Sequence, residues 1–331
     1  MNIHLTLDYE LFFGLKSGTV QKCIIEPTQK LLTIVDKYDI KVTFYVDIGY
    51  LATAFRLGVD TDNANLVIEQ LQQLNKSGHD LQLHIHPHWE DAKFIEGKWV
   101  FDMARYKLVD FSKEQASKII SRYVGMFEQL NLPKPIAYRG GGWCIQPFDH
   151  IQEALKNNGI KVDSTVYAGG KNSSSIQGFD FRGTPQKNSW RFSENPLKVD
   201  DHGDFYELPI ADVAVTPFFY WKFVFVKKMA TNIHKAFGDG IAVAPSKNQI
   251  LKMLIFPSKS VASIDGYKSI LLNKAFKYRL IKFGVNSDFV LIGHPKAFTK
   301  FSLEKIASFI DEHSDHKFLT VSGWYNDKKS N

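Results

Sequence analysis

Short strand-like runs and amphipathic helices take turns along most of this chain, and that alternation limits the fold more than any other feature. "NIHLTLD" opens as a strand, and "EPTQKLLTIVDKY" follows as a helix, with Pro27 in its first turn and apolar Leu31, Leu32 and Val35. "KVTFYVD" is a second strand, "NANLVIEQLQQLNKSG" a helix stopped by Gly78, and "HDLQLH" a third strand. The long helix "FSKEQASKIISRYVGMFEQL" has the capping-box spacing of Ser112 and Gln115. After it come the strand "PIAYR", the helix "FDHIQEALKNNG" and the strand "KVDSTV". "DFVLIGHP", "SLEKIASFIDEH" and "KFLTVSGW" repeat strand, helix and strand near the end. Such alternation means βαβ units around a parallel sheet, open or closed. Residues 168–205 break the pattern. They are rich in Gly, Ser, Asn and Asp and read as an insertion within a single domain spanning residues 1–331.

A chain of 331 residues suits one undivided α/β barrel, and 44% hydrophobic with 23% charged residues is ordinary for a soluble globular protein. The net charge of +6 is spread without a run of like charges, which predicts no nucleic-acid partner. A nucleotide-linked sugar or an anionic membrane surface suits the balance. Cys23 and Cys144 lie far apart, which argues against a zinc–thiolate site and a disulfide scaffold. The first residues run straight into an alternating strand without an apolar signal region, and no apolar run reaches the roughly 20 residues of a membrane span. The expected location is therefore cytoplasmic. "TPFFYWKFVFVKKMATNIHKAF" mixes aromatics with lysines, a composition for either a membrane surface or a buried element with snorkelling lysines.

Three of the 11 histidines, His84, His86 and His88, occupy alternate positions in "LHIHPHW". A strand would aim all three at one face. It would also spread His84 and His88 about 13 Å apart at Cα, awkward for zinc bonds of about 2.1 Å. Pro87 cannot donate to a sheet ladder, so the strand is expected to end near His84, with a turn folding His88 back beside it. "LDYE" puts Asp8 and Glu10 on one face at the carboxyl end of the first strand, where α/β enzymes carry their chemistry. Arg139, the glycines 140–142 and Trp143 follow another strand, Asp163 ends a third, and His294 follows the apolar run "DFVLIG". Glycines there let backbone approach a ligand closely. Plain solvation or core packing accounts for each item singly. Polar groups gathered at successive strand ends read as a barrel active site.

In order along the chain, "TLDYE", "GHDLQLHIHPH", "YRGGGW", "VDSTV", "FYELPI" and "LIGHP" resemble the motifs of the polysaccharide deacetylases, metal-dependent carbohydrate esterases. The resemblance runs from residue 5 to 294. It implies a distorted (β/α) barrel with fewer than eight full repeats and one divalent metal, most often zinc. On the family's pattern the metal ligands are His84, His88 and an acid. Tyr9 stands where the family usually has its metal-binding aspartate, so Glu10 takes that role in an Asp-x-Glu variant. Asp8 is then the general base and His294 the general acid that protonates the departing amine. Arg139 orients Asp8, Asp163 keeps His294 protonated, and Trp143 and Trp89 are candidate walls of the substrate site. The implied reaction is hydrolysis of an N-acetyl or other N-acyl group from an amino sugar. The expected substrate is a nucleotide-linked or lipid-linked intermediate of surface-polysaccharide synthesis. Two other readings stay open: a different metallohydrolase, of amidohydrolase or phosphoesterase type, using His84 and His86, and a sugar-binding barrel without catalysis.

Overall fold

A computed structural model describes residues 1–229, 232–243 and 246–330. Ala230 and Thr231, inside the aromatic–lysine stretch, lie outside the described residues. The first half contains β1 (Asn2–Tyr9), α1 (Glu26–Val35), β2 (Thr43–Asp47), α2 (Gly49–Leu57), α3 (Thr61–Lys76) and β3 (Asp80–Ile85). A hairpin of β4 (Lys93–Ile95) and β5 (Lys98–Val100) precedes α4 (Lys113–Gln129), β6 (Ala137–Gly140), α5 (Gln152–Asn157) and β7 (Val162–Asp163). The stretch read as an insertion holds the hairpin of β8 (Lys171–Ser173) and β9 (Gly178–Asp180), then β10 (Trp190–Phe192) and, at its end, β11 (Phe205–Glu207). Next come β12 (Asp212–Val215), α6 (Pro217–Met229), α7 (Lys247–Ile255) and β13 (Ser258–Val261). The chain closes with α8 (Leu272–Phe283), β14 (Asp288–Gly293), α9 (Lys300–Glu312), β15 (Lys317–Phe318) and α10 (Val321–Ser330).

The main sheet runs β10-β11-β7-β6-β3-β2-β1-β14, with β15 added on β1. Every pair in it is parallel except β10 with β11. Backbone beyond β11 completes the curl. Ile210 donates its N–H to Val166 O beyond β7, and Ala211 donates to Val290 O in β14. The sheet is therefore closed by single bridges where an eighth full repeat would stand, the distorted α/β barrel that the motifs imply.

The odd residues of β1, Ile3, Leu5, Leu7 and Tyr9, are buried and apolar, and Tyr9 donates its hydroxyl to Gln70 on α3. The even residues His4, Thr6 and Asp8 are also buried, yet they bond to one another's barrel neighbours: Asp288, Leu291 O and Arg139. Alternation here separates a helix-facing side from a polar barrel interior. It does not separate core from solvent.

"KFLTVSGW" departs from its strand reading. Only Lys317–Phe318 pairs with β1, and α10 starts at Val321. Thr43 and Asp80 draw the chain inward there, through their side-chain oxygens, to the N–H groups of Val321 and Ser322. A helix N-terminus seated on those acceptors wins over β propensity. No described helix is long and apolar enough to cross a membrane.

At the amino end of the barrel, buried Asp288 accepts from Asn2 (2.9 Å), from His4 Nε2 (3.2 Å) and from Asn188 in the insertion (2.7 Å). Burial alone would raise its pKa, but the bonds from His4, Asn2 and Asn188 hold it well below the ordinary carboxylate range. Asp288→Ala is expected to cost about 3 kcal/mol, by stranding three donors around a buried gap. A depressed folded-state pKa stabilises fully above the unfolded value near 3.9 and progressively less as pH falls below it. Urea melts at pH 7 and at about pH 3 should therefore show the gap between wild type and Asp288→Asn narrowing on acidification.

Candidate metal centre and active site

Strand β3 pairs with β2 and β6 on either side, so His84 lies level with Asp47 and Arg139. The extended backbone persists one residue beyond the strand, with His86 at φ −109° and ψ 95°. His84 and His86 thus keep the same face, and both meet Glu10. Glu10 Oε2 lies 2.7 Å from His86 Nε2 and 3.3 Å from His84 Nε2. One donor atom from each of Glu10, His84 and His86 falls within 4.8 Å of the other two.

His88 is elsewhere. Pro87 opens a short 3₁₀ turn, Pro87–Asp91, which swings His88 into an aromatic box. Its ring stacks on Tyr106 at 5.3 Å and 10°, with the rings of Phe13 and Phe101 at its edges. Neither ring nitrogen has a partner, and burial, then His86, push its pKa well below the usual value. The expectation that His88 joins the donor set is therefore corrected. A turn was expected, but it leads away from His84. His86 takes the third place, so the pair invoked by the rival metallohydrolase reading is the pair assembled with Glu10.

This set fits a divalent cation. His84 Nδ1 donates to the Arg139 carbonyl (2.8 Å), which turns Nε2 toward Glu10, the outer-shell bond typical of ligating histidines. Burial would lower the His84 pKa, but Asp8 and Glu10 outweigh it, the same pull a cation would feel. Gly141 packs against His86. A Cβ there would stand 2.7 Å from His86 Nδ1 and 2.4 Å from Ile85 O, so the glycine run makes room for this imidazole. Two histidines and a carboxylate with an open side are the make-up of a catalytic zinc site.

Lys296, two residues past His294, was not anticipated. Its ammonium lies 2.9 Å from Glu10 Oε1, bonds the Leu11 carbonyl, and sits over the rings of Phe12 and Phe13 at 4.9 and 4.8 Å. Burial opposes ionisation of Glu10, yet Lys296 and then His86 hold its pKa well down.

Asp8 and His294 flank the donor set. Arg139 Nη1 donates to Asp8 Oδ1 (2.7 Å), while its other N–H groups reach Thr6, Ser164 Oγ and Ser164 O. Against burial, Arg139, and after it His84 and His294, keep Asp8 well below the ordinary carboxylate range. His294 Nε2 stands 3.5 Å from Asp8 Oδ2 and 3.7 Å from Glu10 Oε1. Its Nδ1 lies 2.7 Å from Asp265 Oδ2, and its backbone N–H donates to Asp265 Oδ1. Although burial disfavours the charge, Asp265 and Asp8 push the His294 pKa up to about 10.

Two further expectations are corrected. Asp163 does not hold His294: it accepts from Thr165 O–H and N–H and adjoins Glu207, its register partner on β11. Burial raises both carboxyls, Glu207 well above its usual value, and Asp265 takes the role assigned to Asp163. Trp89 is fully buried, donates to Asp47 and packs on Trp99, so it is core. Trp143 does line a cleft of about 270 Å³, together with Tyr106, Gln177, Ala242 and Val243 above the charged groups. Tyr106 and Gln177, joined by a 3.1 Å hydrogen bond, come from segments without motif character.

The same barrel recurs in solved structures. A protein named as a polysaccharide deacetylase from Mycobacterium smegmatis matches at a TM-score of 0.50, with 14% identity over 92% of this chain and 77% of that one. The 4-alpha-glucanotransferase of Thermococcus litoralis matches at 0.52, with 11% identity over 98% of this chain but 40% of its own. No protein-family model and no curated protein matches the chain. The fold is of polysaccharide-deacetylase type, and at these identities the likeness carries fold alone.

Two outcomes test the centre. His86→Ala should lose bound divalent metal by elemental analysis, whereas His88→Phe should keep it. Lys296→Met removes a competing positive charge from Glu10, so it should tighten zinc about tenfold in a metal titration.

Proposed function

We propose that the protein is a metal-dependent hydrolase that removes an N-acyl group, such as acetyl, from an amino sugar. The carrying observation is the facing pair of Asp8, held by Arg139, and His294, held by Asp265, beside the donor set of Glu10, His84 and His86. A divalent cation in that set, with zinc the best match to two imidazoles and a carboxylate, supplies Lewis acidity toward an acyl carbonyl and a water.

The residues of the chain do the rest. Asp8 Oδ2 faces the cleft and accepts the proton of the attacking water. Arg139 engages Oδ1 and keeps the carboxylate ionised, which leaves Oδ2 free to accept. Asp265 accepts from His294 Nδ1–H and, with Asp8, favours the imidazolium, so the ring carries a second proton on Nε2, toward Asp8 and the cleft. It donates to the departing nitrogen, a step an amide needs because an amine anion is a very poor leaving group. Trp143 is the aromatic placed to meet a sugar ring, while buried Tyr106, stacked on His88, and Phe12 and Phe13 complete the cleft lining.

Glycosyl transfer requires a protonated carboxylic acid opposite a carboxylate. The paired cations favour ionised Asp8 and Glu10, while the raised carboxyls Asp163 and Glu207 belong to the barrel wall, which supports acyl chemistry. The unpaired cysteines Cys23 and Cys144 support a reducing compartment, hence a cytoplasmic intermediate of surface-polysaccharide synthesis as substrate.

The test is release of acetate or formate from N-acylated nucleotide-linked and lipid-linked amino sugars. Asp8→Asn should lower the rate at least a thousandfold with metal retained, and Asp265→Asn about a hundredfold. A rate within tenfold of wild type for Asp8→Asn removes the proposed base and the reading with it.

A further inference from the structure

Helices α6 and α7 form a lobe beside the cleft whose apolar side chains have almost no interior to enter. Phe219 is the one buried residue of α6, stacked on Tyr267 at 5.6 Å, and α7 has none. Phe218, Trp221, Phe225 and Met229 are exposed by 66, 57, 64 and 61%. Their spacing of three to four residues puts them in one stripe along α6. Leu251, Ile255 and Phe256 of α7 and its C-terminus are exposed by 57, 54 and 62%. Trp221 Nε1 bonds the Leu254 carbonyl (3.2 Å) and Tyr220 O–H meets Ser258 Oγ (3.0 Å), so the two helices and β13 are tied together. The earlier alternative of a buried element with snorkelling lysines is thereby set aside.

Charge identifies the occupant. Between residues 217 and 256 there are six lysines, at 222, 227, 228, 235, 247 and 252, and a single acid, Asp239. All six lysines are exposed, and Asp239 is engaged by Thr19 and Lys16. A second copy docked on this patch would set lysines against lysines. An anionic bilayer complements them and accepts aromatic and aliphatic side chains at headgroup depth. The same segment reaches the active site: exposed Ala242 and Val243, a few residues before α7, line the cleft.

We infer that the α6–α7 lobe docks on an anionic membrane surface and holds the cleft mouth at the headgroups, toward a lipid-linked saccharide. The substrate part of this rests on the proposed deacylation; the docking does not. The cytoplasmic leaflet supplies such a surface.

Full-length protein is sedimented with vesicles of phosphatidylcholine alone and with about one-third phosphatidylglycerol. Binding is expected only to the anionic vesicles, weakening as salt rises. Each lysine near the surface contributes about fivefold, so Lys227→Glu with Lys228→Glu should weaken binding more than twentyfold. Phe225→Ser with Met229→Ser should weaken it about tenfold or more. These exposed positions lie outside the catalytic groups, so release from a soluble N-acylated sugar should be unchanged. No binding at low salt, or binding untouched by both double variants, overturns the docking surface. So does a dimer in light scattering that Phe225→Ser dissolves. Vesicle binding without any deacylation leaves the docking intact and removes the proposed reaction, so the two failures are separable.

Discussion

The arrangement turns on a guanidinium buried in the middle of the barrel. Arg139 is 1% exposed, and charge removed from water is costly unless its partners are all in place. Asp8 neutralises it, Thr6 and Ser164 accept three more of its N–H groups, and the ring of Tyr45 lies 4.0 Å from its carbon. The carbonyl of the same residue fixes the tautomer of His84. One residue therefore ties β1, β2, β3, β6 and the end of β7 to a single geometry. Losing either member of such a pair leaves an unpaired buried charge, a cost of several kcal/mol. The demand for burial with compensation is what keeps Asp8 ionised and immobile at the cleft floor.

The remaining charges follow the same logic of local pairing. Glu10 has Lys296 on one oxygen and the histidines on the other, and His294 lies between Asp265 and Asp8. The pattern fixes the direction in which each side chain faces. By contrast, Asp163 and Glu207 adjoin each other, and burial raises both against the weaker pull of Arg139. The two carboxyls, both with raised pKa values, stand side by side at the level where β7 and β11 pair.

Much of this was legible in the residues, for identifiable reasons. Strand ends announce themselves because an apolar run stops at a polar residue, and Asp8, His84, Arg139 and His294 all stand at such stops. The barrel follows from alternation, although "NIHLTLD" alternates for a reason hidden in sequence: its polar face points into the barrel, not into water. What stayed illegible depends on turns. Whether His86 or His88 shares a face with His84 is decided by one backbone conformation at His86, just before Pro87. Asp265 is 29 residues from its partner and carries no motif, since its role needs only two oxygens near one imidazole and one N–H. Lys296 acts through a flexible chain from a 3₁₀ turn, so its reach to Glu10 leaves no periodic trace. Trp89 misled because an aromatic next to a histidine cluster suits a core and a sugar platform equally well.

The division of labour within the fold follows from rigidity. Asp8, His84, Arg139 and His294 sit on or directly after strands β1, β3, β6 and β14, where ladder bonds limit displacement. The cleft walls come from less regular chain: Tyr106, Trp143, Gln177 and residues 242–243. Trp143 even adopts a positive φ of 62°, strained for a bulky residue and sustained by rings of Tyr167 and Phe179 packed around it. Strain spent on orienting one indole over a charged floor makes sense if the ring meets a ligand, because packing alone would be served by a relaxed rotamer on ordinary backbone. Chemistry and selectivity thus occupy different physical supports, and a glucan-transferring enzyme with the same barrel can differ in both walls and floor without altering the strands. The fold defines where these groups meet; the pairing of Asp8 with Arg139 and of His294 with Asp265 defines their charge and orientation.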